Sequence, residues 1–204
     1  MPVRRKPSRV KLRKKPRQVR AQETVDAILE GAARILEAHG FPGYTTNAIA
    51  HEAGVSIGSL YQYFPGKDAI TAALLARETS LLLAQIRSTK HATSFDAALR
   101  EIIYACVVHQ IRRPVLARLL DIEEARLPLA RQNAEVMHTV YQTFRDLLER
   151  PDAPRSLEGP AEADMLAIVK GMVDAAGERG ERRIAPLVRR VLRALRGYLG
   201  IAAE

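Results

Sequence analysis

The sequence holds a single cysteine, Cys106, in 204 residues. No disulfide can form within the chain, and a reducing compartment such as the cytoplasm is expected. No uninterrupted apolar run approaches the roughly 20 residues that a membrane-spanning helix needs, so no membrane partner is expected. The N-terminus is basic with no apolar segment behind it, which is not the pattern of a secretory signal. Period-2 alternation persists nowhere and no internal repeat is visible, which leaves no strand signal. Metal and nucleotide chemistry lack their usual carriers. There is no cysteine pair and no Gly-rich phosphate loop, and His39, His51, His91, His109 and His138 show no ligand spacing. Cys106 and His109 fall at i, i+3 on one helix face, as a thiolate–imidazole pair would. No third orienting group accompanies them and the helix around them is apolar on all sides, so the pattern favours a core thiol beside a histidine. Neither an enzyme nor a bound cofactor is expected.

What is present is a core and an uneven charge. At 47% hydrophobic and 27% charged residues, the chain can bury a substantial interior. Its net charge is +9. Residues 1–20 contain ten Lys or Arg and no acid, and the rest carries 22 basic against 23 acidic residues. The excess is therefore an arm. With Pro2, Pro7 and Pro16 it is expected to be extended and to attract polyanions, the alternative being a merely solubilising extension.

Beyond the arm the periodicity predicts helices throughout, an all-α protein. Val25, Ile28, Leu29, Ala32, Ile35 and Leu36 give the first a single apolar face over Glu23–His39, with Gly40 and Pro42 to end it. Thr46 to Ala53 predicts a short helix capped by Thr45 or Thr46, and Ser56 caps a third running to about Phe64. Lys67-Asp68 open a longer one to about Ser88. Phe95 to Arg112 is apolar nearly all round and should be central. Helices are further expected over Val115–Arg126, Leu129–Arg150, Ala161–Ala176 and Ile184–Leu199. Pro151 to Gly159, "PDAPRSLEG", reads as a loop, and Glu123 and Glu124 as a solvated acidic face.

Aromatics are only 5% of the chain, yet three fall within four positions of "AGVSIGSLYQYFPGK", Ala53 to Lys67, together with three glycines and a proline. Two short helices joined at a glycine, the second polar along one side, have the layout of a helix-turn-helix over about residues 45–64. Ala50 is small where the helices would cross, and Gly54 can take the left-handed backbone that bends the chain. Val55 and Leu60 would pin the second helix, leaving Ser56, Ile57, Gly58, Ser59, Tyr61 and Gln62 on or near the surface. Serine and tyrosine hydroxyls suit phosphate, Gly58 admits close backbone approach, and Gln62 has the chemistry to read adenine. Lys67 can pair with phosphate at the exposed N-terminus of the next helix.

"TTNAIAHEAGVSIGSLYQYFPGKDAI", Thr45 to Ile70, strongly resembles the DNA-binding head of the TetR-type (tetracycline-repressor-like, AcrR-like) transcriptional regulators. The threonine pair, the Ala-Gly-Val-Ser turn and the Gly-x-Leu-Tyr-x-(aromatic)-Phe segment carry the resemblance. "ILEAHGFPGYTT" before it is similar to the end of that family's first helix. The resemblance covers roughly residues 20–82 and, behind the basic arm at 1–20, implies a DNA-binding domain at 21–82 and a larger helical effector-binding and dimerisation domain at 83–204. It implies DNA contact by Thr46, Ser56, Ile57, Gly58, Ser59, Tyr61, Gln62, Tyr63 and Lys67. Tyr63 stands where many members have histidine.

For the body the resemblance implies a homodimer joined by the last two helices. Met165, Val169, Met172 and Val173 would meet Ile184, Leu187, Val188, Val191, Leu192 and Leu195, although the same stripes could simply pack inside one subunit. It also implies a small-molecule effector, with Tyr104, His109, Gln110, His138, Tyr141 and Gln142 as polar candidates on apolar helices. The expected function is a repressor binding a palindromic double-stranded operator and released by its effector. A rival reading, nonspecific polyanion binding by the arm alone, would be indifferent to DNA sequence and steeply salt-dependent.

Overall fold

Breakers and caps divide this chain more sharply than its hydrophobic pattern does. The computed structural model describes residues 19–128, 130–154 and 159–201. The basic arm up to residue 18 and part of the "PDAPRSLEG" segment lie outside them. Among the described residues there are α-helices and one short 3-10 turn, and no strand. The helices are α1 (Val19–Gly43), α2 (Thr46–Glu52), α3 (Ile57–Tyr63), α4 (Lys67–Ser88), α5 (Phe95–Arg112), α6 (Pro114–Arg126), α7 (Ala130–Leu148), α8 (Ala161–Glu178) and α9 (Ile184–Tyr198). The 3-10 turn, Thr89–His91, follows α4 directly.

Local chemistry sets the boundaries. Gly40 at φ 59° breaks the α-helical geometry of α1, and one more turn follows before Thr45. Thr45 caps α2 by accepting from the Ala48 amide, and Ser56 caps α3 by accepting from the Ser59 amide. Between them Gly54 sits at φ 66°, the left-handed conformation that an L side chain resists. Ser94 caps α5 in the same way, through the Ala97 amide.

The contacts divide the chain into two units. The first runs to Glu78 and takes back Leu119–Leu129, and the second holds Thr79–Arg118 and everything from Ala130 on. A division near residue 82 with all of 83–204 in one domain was expected; the C-terminal part of α6 instead belongs with the head. In the first unit all six apolar positions of α1 named above are buried, as are Ile49, Leu60, Phe64, Ile70 and Leu74. Tyr44 is buried too, its hydroxyl 3.1 Å from Thr71 Oγ1. An ion-pair chain runs outside this core from Glu52 through Arg34 and Glu30 to Arg77.

Glu123 corrects the reading of a solvated acidic face. It is only 8% exposed, whereas Glu124 is exposed as expected. Arg126 explains the difference: its Nε lies 3.0 Å from both Glu123 carboxylate oxygens, and its guanidinium reaches Asp68 Oδ1 at 2.7 Å. A buried carboxylate needs such a partner.

The second unit is built round α5. Leu99, Ile102, Ile103 and Val107 are fully buried, packed with apolar residues of α7, α8 and α9. α5 is central, as expected, although Tyr104 on it is 55% exposed. α4 and the following turn, Lys67–His91, have the length and composition of a membrane-crossing helix, with a mean hydropathy of 1.3. Within α4, Ala69, Ile70, Leu74, Leu83 and Ile86 are buried, and Leu81 is 56% exposed.

Candidate DNA-contact surface

The surface of α3 follows from how α3 is held. Leu60 is fully buried and anchors the helix to the head, so the residues a half-turn away must face out. Ile57, Gly58, Tyr61 and Gln62 are exposed, and Ser59 and Tyr63 are half-buried. An isoleucine 38% exposed and a tyrosine 40% exposed on one seven-residue helix are apolar surface held in water. This apolar surface is flanked by the polar groups of Ser59 and Gln62.

Tyr61 is fixed rather than swinging. Its hydroxyl lies 3.2 Å from Thr46 Oγ1 at the first residue of α2. Thr46 and Tyr61 therefore present one shared pair of hydroxyls at the start of α2. Ser56 differs from the simple expectation of a phosphate ligand. Its Oγ accepts from the Ser59 amide and donates to Ser59 Oγ, both at 3.0 Å, so its first task is structural. Ser59 then has the hydroxyl proton left to offer. Lys67 is exposed at the first residue of α4, and Thr71 Oγ1 donates to its carbonyl at 2.9 Å, which secures that turn. The nine residues expected at DNA thus fall on α3, its cap and the first residues of α2 and α4.

Two contributors to this surface were not named from the sequence. Gly31 on α1 faces α2 so closely that a Cβ there would sit 3.0 Å from the Ala53 amide nitrogen and 3.1 Å from the Ile49 carbonyl oxygen. A glycine inside an otherwise regular apolar helix was the signal available. Arg126 is the second, through its hold on Asp68, the neighbour of Lys67.

The other expected sites divide. The six effector candidates do not converge on one cavity. Gln110 is buried on α5 against α8, where a Cβ on Gly177 would meet its Nε2 at 3.2 Å. His109 is half-buried, His138 and Tyr141 are exposed on α7, and Gln142 is half-buried there. Tyr104 alone of the six lines the cleft of about 630 Å³ beside α5 and α9. Burial pushes the Cys106 thiol up to about 12, which keeps it neutral and unsuited as a nucleophile. Among the described residues no cluster of three or more His, Cys, Asp or Glu could hold a metal ion.

The stripe expected at the dimer interface has another role within the chain. Met165, Val169, Val173, Leu187, Val188, Val191, Leu192 and Leu195 are all buried in the core of the second unit, and Met172 and Ile184 are half-buried against it. What α8 and α9 leave open is the opposite side, with Ala167 and Gly171 on α8 and Arg193 and Gly197 on α9.

A capped helix, a left-handed glycine and a second capped helix with an exposed aromatic edge define a helix-turn-helix DNA-binding domain. Residues 28–74 match the family described as bacterial regulatory proteins, tetR family. These residues are thus similar to a TetR-type DNA-binding domain. Among curated proteins the chain is similar to the nucleoid occlusion factor SlmA of Haemophilus ducreyi, 29% identical over 112 residues that cover 54% of each chain. The match therefore spans about half the length of that relative. It is also similar to the HTH-type transcriptional regulator UidR of Escherichia coli, 25% identical over 65% of this chain and 70% of the relative. Among solved structures, the transcriptional regulator FadR of Bacillus subtilis in complex with stearoyl-CoA shares the fold. Its TM-score is 0.71 at 17% identity, covering 85% of this chain and 98% of that one.

Proposed function

We propose that the protein is a transcriptional repressor that binds a palindromic operator as a homodimer in the cytoplasm and is released by a small-molecule effector in its second unit. The observation that carries this reading is the exposed edge of α3, where Ile57, Tyr61 and Gln62 stand outward and Tyr61 is braced by Thr46. An edge of that size reads few base pairs. Two copies spaced about 34–36 Å apart read a palindrome across one turn of DNA, which is the physical case for a dimer. Gln62 and Ile57 are the base readers in this scheme, while Thr46, Ser59, Tyr61, Tyr63 and Lys67 grip the backbone. The open sides of α8 and α9 are the candidate seat of the dimer, since small residues there let helices approach closely.

UidR is named a transcriptional regulator, and FadR was solved with stearoyl-CoA, which supports the same two roles, DNA control and ligand response, for this chain. An effector acts by binding one head spacing better than the other, and shifts DNA affinity by that difference alone.

Selection of bound sites from random duplex DNA tests the reading. An inverted repeat with half-sites one turn apart is the expected result. Tyr61→Ala and Lys67→Ala together should weaken binding to the selected site at least about 100-fold, two charged or braced phosphate contacts at about 1.5–3 kcal/mol each. A folded double variant that binds as tightly as the parent removes α3 as the reading helix.

A further inference from the structure

α5 packs along α9, but one side of their seam is open as a cleft of about 630 Å³, lined also by Gln85 of α4 and Thr89 of the turn after it. That volume lies within the range of sites that enclose a small ligand, roughly 300–1,000 Å³. Its floor is apolar, formed by Ala105 and Val108 of α5 and Val188 and Leu192 of α9. Tyr104 stands at the edge with more than half its surface in water. Two guanidiniums, Arg100 and Arg189, line the same cleft against one carboxylate, Glu101.

We propose that this cleft binds an anionic amphiphile, a carboxylate carried on an unbranched apolar chain, with the chain on the floor and the carboxylate at Arg100 and Arg189. A neutral apolar ligand would leave the rim guanidinium of Arg189 without use, and a cation would be repelled by it. The arginines are suited to the role in different ways. Arg100 is braced, since Asp96 accepts from it at 2.9 Å and is itself held by Arg196 of α9. Arg189 is exposed on the rim, beside an Arg190 already engaged by Glu181 at 2.7 Å. A planar fork on a preset stem meets a carboxylate with little loss of freedom.

The inference rests on the reading of the protein as an effector-released regulator, and it gives that effector a chemical class and a seat. α4 supplies the connection: Lys67 at its first turn is a proposed phosphate contact, and Gln85 in its last turns lines the cleft, on one continuous helix.

Calorimetric titration of the full-length protein with sodium decanoate and, separately, with 1-decanol tests the site without DNA. Decanoate should bind with decanol at least about tenfold weaker, the worth of one charge-assisted pair. Arg189→Glu should bring decanoate down to the decanol level. Ala185→Trp, a substitution at an exposed position of the lining, should abolish both while thermal melting stays unchanged. Equal binding of decanoate and decanol, or undiminished binding by the tryptophan variant, overturns the proposal, as does a change of oligomeric state in either variant, which would make the cleft a subunit interface. Release of operator DNA by decanoate is read in a separate gel-shift series. Binding without release leaves the cleft in place and removes the effector reading instead.

Discussion

Tyr44 puts a phenol where ionisation is costly. Burial is the main cause, Glu123 and Asp68 add negative charge nearby, and Thr71 offsets part of this, so its pKa rises from 10.0 to about 12. A raised pKa on an acid means the folded state holds its proton more tightly than the unfolded chain does. Stability is then level below pH 10 and falls as pH climbs from there to about 12, by roughly 2–3 kcal/mol in total. Tyr44→Phe should remove that part of the alkaline slope. Urea midpoints at pH 9 and pH 11.5 measure it, with Cys106 contributing its own loss equally to both proteins. The Arg126 fork is a second residue-scale case. Hydrogen bonds donated by Arg126 to Glu123 and then to Asp68 push its pKa further up, so the guanidinium is charged throughout. Arg126→Ala leaves Glu123 buried without its partner and should cost about 1–3 kcal/mol. Adding Glu123→Gln to it should recover most of that loss, because the uncompensated charge goes. A thermal-melt cycle over the four proteins checks the sign. If the second substitution deepens the loss, the pair is not what holds Glu123.

At the scale of elements, the head depends on how closely α1 and α2 approach. A Cβ on Gly31 would meet two backbone atoms and the Cβ of Ala53, none of them the far end of a flexible side chain, so the helices themselves must part. Gly31→Ala gains about 1 kcal/mol of helix propensity and loses about 1–3 to overpacking, a net destabilisation of up to about 2 kcal/mol. Urea denaturation gives the number, and a stabilised variant would mean that α2 yields at no cost. This contact also marks what the sequence could reveal. Thr45, Ser56 and Gly54 act within four residues of themselves, so the ends of α2 and α3 were legible to within a residue. The edge of α3 was legible for the same reason, since one buried leucine fixes which positions face out. Gly31 and Glu123 were not, because their meaning lies in partners far along the chain, at Ala53 in one case and on Asp68 through Arg126 in the other. Nor does a hydrophobic stripe say which body it packs against. The α8–α9 stripe suits either a contact between subunits or packing inside one, and most of it packs with the chain's own α5 and α7.

For the whole molecule, that burial changes where a partner could sit. A core already closed by its own helices cannot be shared, so a homodimer formed through α8 and α9 must use Ala167, Gly171, Arg193 and Gly197 and their neighbours. Replacing Ala167 and Gly171 by arginine adds bulk and charge at exposed positions without touching the interior. Circular dichroism and the melting curve should then match the parent, while light scattering on the column eluate reports half the parent's mass. The consequence for DNA follows from linkage. In a dimer the second head binds at an effective concentration set by the first, which typically multiplies affinity by about 10²–10⁴. Operator affinity should therefore fall at least about 100-fold in the arginine variant, and each half-site should be occupied independently. A variant that remains dimeric and keeps its operator would move the interface off the open side of α8. A monomeric variant with undiminished affinity would mean instead that a single α3 edge is enough to hold the DNA.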